Sequence, residues 1–213
     1  MDNHLTNLYQ SLYKERPVDE IKIALLKCFP DLNIVGKYHP LGFYSFSLGN
    51  VTDQIALRLH IWASDAKVQD DNLLIHNHTF NFKSLVLHGT IINNTYKVQE
   101  SQFDDAGELF RVEYMEGSSM LTKLPGRYYL IPETTQVMQM GEYYSVESTE
   151  FHESINSSEQ FSVTILYTEI VSSDPPLVFS KVSKEDIIEF NRIEMPYTEF
   201  ELVKMQLAEI LRS

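Results

Sequence analysis

His76 and His78 stand one residue apart in the stretch Ile75-His76-Asn77-His78-Thr79-Phe80-Asn81-Phe82. In an extended strand alternate side chains share a face, so the two imidazoles project together, close enough to hold one metal ion. Burying a histidine in an apolar strand without a partner costs about 2 kcal/mol or more, and a divalent cation supplies that partner. A third histidine, His152, lies in Phe151-His152-Glu153-Ser154-Ile155-Asn156. Three neutral imidazoles leave a divalent ion near its full double charge, which favours thiolates, enolates and carboxylates as further ligands. They also leave open coordination positions, as oxygen-activating iron sites require. Glu150 is a rival ligand, since it shares the face of His152 if that segment is extended.

Around these residues stand side chains that could form a pocket. The segment Ile55 to Trp62 alternates with period two, Leu57, Leu59 and Ile61 facing one way and Arg58, His60 and Trp62 the other. A guanidinium there can fork onto a substrate carboxylate, with a surface ion pair as the plainer use of Arg58. His60 can line the pocket or move a proton. Phe80 and Phe82 share the histidines' face and would make a dry wall, or simply fill core. His88, just before Gly89, reads as surface, and Asn156 as a residue that fixes the turn after its strand.

The elements that must position these groups are mostly strands. Candidates are 43–48, 55–62, the His76 segment running on to Gly89, 90–98, 109–114, 120–124, 128–132, 143–146 and 161–167. Many short strands with turns between them predict a mainly β barrel or sandwich. Helical spacing appears in 4–13 and in 18–29, the latter closed by Pro30, and Cys28 falls on its apolar stripe as a small core residue. Pro175-Pro176 reads as the exit from the barrel. After it, Ser183 is a candidate cap for one helix, and Thr198 opens a second with the stripe Phe200, Val203, Leu207, Ile210 and Leu211. The expected organisation is one domain over 1–213: helices in 1–32, barrel in 33–170 and helices in 171–213.

Composition narrows the partners. A net charge of −13 with no lysine or arginine cluster argues against nucleic acid and anionic membranes. The one cysteine forms no intrachain disulfide, the N-terminus carries no signal-peptide pattern, and no apolar run is long enough to span a bilayer. A cytoplasmic protein is the expectation. The apolar stripes of the terminal helices leave a homodimer open.

The chain resembles a known family in two segments. His76-x-His78, three residues, Phe82, six residues and Gly89, followed much later by His152 and Asn156, is similar to the motif spacing of the cupin superfamily. The resemblance covers roughly 55–168 and implies a double-stranded β-barrel, or jelly roll, with flanking helices. Phe82 stands where that family usually has glutamate, and Glu147-Ser148-Thr149-Glu150 replaces its usual Pro-x-Gly. Three histidines without the glutamate resemble the cysteine dioxygenase-like thiol dioxygenases. That likeness implies Fe(II) on His76, His78 and His152, with dioxygen and a small anionic substrate as partners. That group's carboxylate-binding arginine falls here on Phe46, and Arg58 on the neighbouring strand could take its place. Tyr44 or Tyr144 would donate a hydrogen bond to oxygen, and Trp62, Phe80 and Phe82 would contact substrate. Two other readings stay open. One is a metal-dependent isomerase or lyase with His60 or Glu150 as base, and the other a ligand-binding barrel without turnover.

Overall fold

The structure, a computed structural model, describes residues 3–29, 34–63, 71–103, 106–156, 161–181, 185–191 and 193–213. Two helices open the chain, α1 (Asn3–Tyr13) and α2 (Val18–Cys28). Then come β1 (Val35–His39), β2 (Phe43–Asn50), β3 (Ile55–Trp62), β4 (Ile75–His76), β5 (Phe80–His88) and β6 (Thr90–Ser101). The next strands are β7 (Glu108–Tyr114), β8 (Ser118–Lys123), β9 (Arg127–Gln139), β10 (Tyr143–Val146) and β11 (Phe151–Asn156). Finally β12 (Ser162–Ile170), β13 (Leu177–Ser180) and β14 (Ile187–Asn191) lead into α3 (Tyr197–Arg212).

The strands form two antiparallel sheets. One has the order β1-β2-β3-β12-β5-β10, the other β14-β8-β7-β13-β4-β11-β6-β9. From β3 to β6 and again from β9 to β13 each successive strand lies in the opposite sheet. This weaving puts side chains from distant segments on two facing inner surfaces, the jelly-roll solution to closing a sheet. The result is the mainly β, double-stranded barrel with flanking helices expected from the sequence.

Period two decides what each strand contributes. On β3, Leu57, Leu59 and Ile61 point outward into a core with Leu8 and Leu12 of α1, Ile21 and Leu25 of α2, and Leu207 and Leu211 of α3. All three helices therefore cover the outer face of the six-stranded sheet. Truncating a fully buried leucine there, such as Leu207, is worth about 2–5 kcal/mol. The other face of β3 looks into the barrel. The β5–β6 turn needs Gly89, whose φ is +77° and whose missing Cβ would lie 2.1 Å from Ser162 Oγ.

The C-terminal segment corrects the sequence reading. Residues 171–191 hold no helix among those described; they supply β13 and β14, so strand structure runs past 170 to 191. Pro176 does not end the barrel, because its carbonyl accepts the Val112 N–H and hands the chain to β13, beside β4. Ser183, the expected cap, lies outside the described residues. In β14, Ile188 and Phe190 turn inward while Ile187 and Glu189 turn out, and the strand pairs along β8. Five residues of alternation carry little signal until that partner is present. No helix among the described residues is long and apolar enough to cross a membrane.

Candidate metal centre

β4 is two residues long and is held from both sides. His76 lies opposite His152 of β11 and opposite Val178 of β13. Asn77 fixes the next step: its N–H donates to the Leu177 carbonyl at 3.0 Å, and its Oδ1 accepts the Leu177 N–H at 2.6 Å. The His78 N–H donates to the Ser148 carbonyl. Backbone bonds from three segments thus aim His76 and His78 at β11.

The three rings converge. Centroids lie 4.6 Å apart for His76 and His78, 4.8 Å for His76 and His152, and 5.1 Å for His78 and His152. One ring nitrogen from each falls within 4.8 Å of the others. His78 Nε2 and His152 Nε2 are 2.9 Å apart. Two nitrogens at metal bond lengths of about 2.0–2.1 Å and a right angle would sit about 2.9 Å apart, so this pair already has ligand spacing.

The far side of two rings is also fixed. His76 Nδ1–H donates to the Leu74 carbonyl at 2.8 Å, which leaves its Nε2 lone pair facing the cluster. His152 Nδ1–H donates to Asn93 Oδ1 at 3.0 Å, with the same consequence. Asn93 is fully buried on β6, and its Oδ1 also accepts from Ser154 Oγ at 3.1 Å. Its Nδ2 finds no partner among the described residues. Carbonyl acceptors behind imidazoles are the partners that metal-ligating histidines require. Burial holds the pKa of His76 below the ordinary value of 6.5, and those of His78 and His152 well below it, so all three offer lone pairs at neutral pH. The donor set, its tautomers and its spacing fit a divalent transition metal.

The cluster opens into a cavity of about 1400 Å³ between the sheets. Arg58, His60, Trp62, Phe80, Phe82 and Tyr144 all line it. Phe80 stacks on His78 at 4.5 Å and 19°, and Phe82 stands 5.4 Å from the His152 ring. The Arg58 guanidinium lies 5.2 Å above the Phe80 ring. His60 is held well below the usual histidine pKa, mainly by burial, with His39 and Arg58 adding to it. Burial pushes the Tyr144 phenol up, partly offset by the hydroxyls of Ser84 and Ser154 beside it.

Three sequence expectations fall elsewhere. Tyr44 is turned out of the cavity. It pairs with Ile61, takes that residue's outward parity, and donates to Glu199 Oε1 of α3 at 3.0 Å, beside Tyr38 on the same carboxylate. Glu150 does not join the cluster, because its Oε2 closes a turn by accepting the Glu147 N–H at 2.8 Å. His88 is half-buried at the end of β5, opposite Val163, rather than surface. Asn156 accepts from Ser162 Oγ at 2.9 Å, which ties β11 to β12 as a turn-fixing residue should.

Sequence reasoning missed Asn93, and it missed His39 and Phe43, which also line the cavity. Asn93 had a signal: Ile91, Asn93 and Thr95 share a face, and a polar residue on an apolar face needs a buried partner.

No family model matches the chain, and neither does any curated protein. Among solved structures, one of oxalate oxidase matches at 13% identity over 66% of this chain and 56% of that one, with a TM-score of 0.36. Pumpkin seed globulin matches at 9% identity over 75% of this chain and 36% of that one, with a TM-score of 0.37. Hydroquinone 1,2-dioxygenase from Sphingomonas sp. TTNP3 matches at 8% identity over 60% of this chain and 65% of that one, with a TM-score of 0.32. The chain thus spans 56% of the oxalate oxidase and 36% of the globulin.

Proposed function

We propose that this chain is a mononuclear non-haem iron oxygenase that acts on a small anionic substrate. One observation carries the reading: His76, His78 and His152 converge with two of their Nδ1–H groups already engaged by Leu74 and Asn93. Ferrous iron held by the three imidazoles would supply the redox chemistry that dioxygen requires. A cytoplasmic setting would keep that iron reduced.

The protein's own groups do the remaining work. Arg58 pairs with the anionic group of the substrate, in a wall where desolvation strengthens the pair. Phe80 and Phe82 keep water from the face of the His cluster. Tyr144, its phenol kept protonated by burial, offers an O–H to the cavity from behind Phe82. Trp62 closes the wall behind His60.

His60 favours a second reading. It is a neutral imidazole on the cavity wall, and a neutral imidazole can take a proton from a carbon acid whose carbonyl is polarised. That reading is a metal-dependent isomerase or lyase.

Metal analysis of protein purified without a tag separates the readings: about one iron per chain under the first, zinc or manganese under the second. Oxygen uptake with a panel of small thiols and aromatic acids then tests the oxygenase directly. His78→Ala is expected to abolish both metal and uptake; full metal content in that variant would remove the proposed ligand set.

A further inference from the structure

The wall that carries Arg58 is built of flat rings. On the inner face of the six-stranded sheet, His39 stacks on Phe43 at 4.2 Å and 9°. Phe43 contacts His60 at 4.5 Å and Trp62 at 5.1 Å. Further along the same sheet Phe80 stacks on His78. Arg58 joins the two groups: it shares the inner face of β3 with His60, and its guanidinium covers Phe80. With Phe80 covered by His78 and by the guanidinium itself, the rings left to a ligand held by Arg58 are those of Phe43, His60 and Trp62.

An aliphatic amino acid of a few carbons gains only buried area from these rings. A planar ring gains offset-stacked or edge contacts with Phe43 and Trp62, and these are worth more than the buried area alone.

We infer that the substrate class is a planar aromatic acid, its carboxylate on Arg58 and its ring against Phe43 and Trp62, rather than a small aliphatic thiol. The inference rests on the oxygenase reading for its chemistry but not for its binding geometry, because Phe43, Trp62 and Arg58 belong to β2 and β3, while the proposed metal ligands His76, His78 and His152 lie on β4, just after it and on β11.

Trp62 is the chain's only tryptophan and stands in this wall, so its emission reports occupancy without a label. The experiment titrates benzoate, cyclohexanecarboxylate and L-cysteine into metal-loaded protein without oxygen, read by calorimetry and by Trp62 emission. Cyclohexanecarboxylate matches benzoate in charge and size and is at least as apolar, so only ring recognition favours benzoate. The expected result is benzoate binding at least tenfold more tightly than either competitor. Arg58→Gln should weaken both ring acids at least tenfold. Phe43→Leu should weaken benzoate severalfold and leave cyclohexanecarboxylate unchanged. Equal or tighter binding of cyclohexanecarboxylate or L-cysteine, or an Arg58→Gln variant that binds as wild type, overturns the inference. Benzoate preference in protein found to hold no iron supports the inference while removing the oxygenase reading; iron without benzoate preference does the reverse.

Discussion

Asn93 is the residue through which the candidate metal centre can be tested without touching a ligand. It is fully buried, and its Oδ1 accepts from both His152 Nδ1 and Ser154 Oγ. Leucine has nearly its shape and no acceptor. Asn93→Leu therefore leaves the buried His152 Nδ1–H without its acceptor, at about 1–3 kcal/mol, and turns the half-buried Ser154 hydroxyl to other partners. It also frees the His152 ring to rotate or to move its proton to Nε2, where the lone pair is needed. Loss of such a partner typically lowers metal affinity 10–100-fold, which is about 1.4–2.7 kcal/mol. Asn93→Asp behaves differently. It keeps the acceptor, removes the Nδ2 donor that has no partner, and makes the imidazole more basic by placing a carboxylate behind it. In the metal-free protein that same carboxylate is a buried charge and costs stability.

The two measured orders should therefore disagree. Metal affinity, from competition of zinc or cobalt against a chromophoric chelator, should run Asp equal to or above Asn, with Leu 10–100-fold below. Metal-free stability, from calorimetry, should place wild type above Asp. A residue that only packs the core would give one order in both assays. A Leu variant with wild-type affinity, or affinities that follow metal-free stability, would refute the role assigned to Asn93.

The remaining predictions concern pH, saturation with metal and the misplaced tyrosine. His60, His76, His78 and His152 all have folded-state pKa values below the ordinary 6.5, so the unfolded chain binds more protons as pH falls. Metal-free stability should thus be fully present above pH 6.5 and fall below it, by up to about 1.4 kcal/mol per imidazole per pH unit, as denaturant titrations at pH 7.5 and 5.5 would show. Metal at a hundred times its dissociation constant should stabilise the fold by about 2.7 kcal/mol, raising Tm in wild type but not in His152→Ala. Tyr44→Phe removes a hydrogen bond to Glu199 and should cost about 1.5–3 kcal/mol in chemical denaturation, with metal content and oxygen uptake at wild-type levels. A loss of metal in that variant would put Tyr44 back in the centre.

What could be read from the sequence was whatever a single strand decides for itself. The parity of β3 is local, so Arg58, His60 and Trp62 separated correctly from Leu57, Leu59 and Ile61. The pairing of His76 with His78 is local too. Tyr44 was misplaced because its direction depends on a second strand: only the register Tyr44↔Ile61 assigns it to the helices' side. Glu150 was offered as a ligand on the assumption of extended chain, and a turn closed by its own side chain broke that parity. β14 took its identity from β8, and its approach resembled a helix cap. Asn93 lies 59 residues from His152 and meets it only because β6 and β11 pair so that Asn93 faces Ser154. Local spacing thus revealed two of the three candidate ligands, His76 and His78, but not the Asn93 side chain behind the third. His76 and His78 need only share a face, and the Leu74 carbonyl behind His76 is local to them, whereas Asn93, which fixes the His152 tautomer, comes from a neighbouring strand set by the order in which the two sheets are woven.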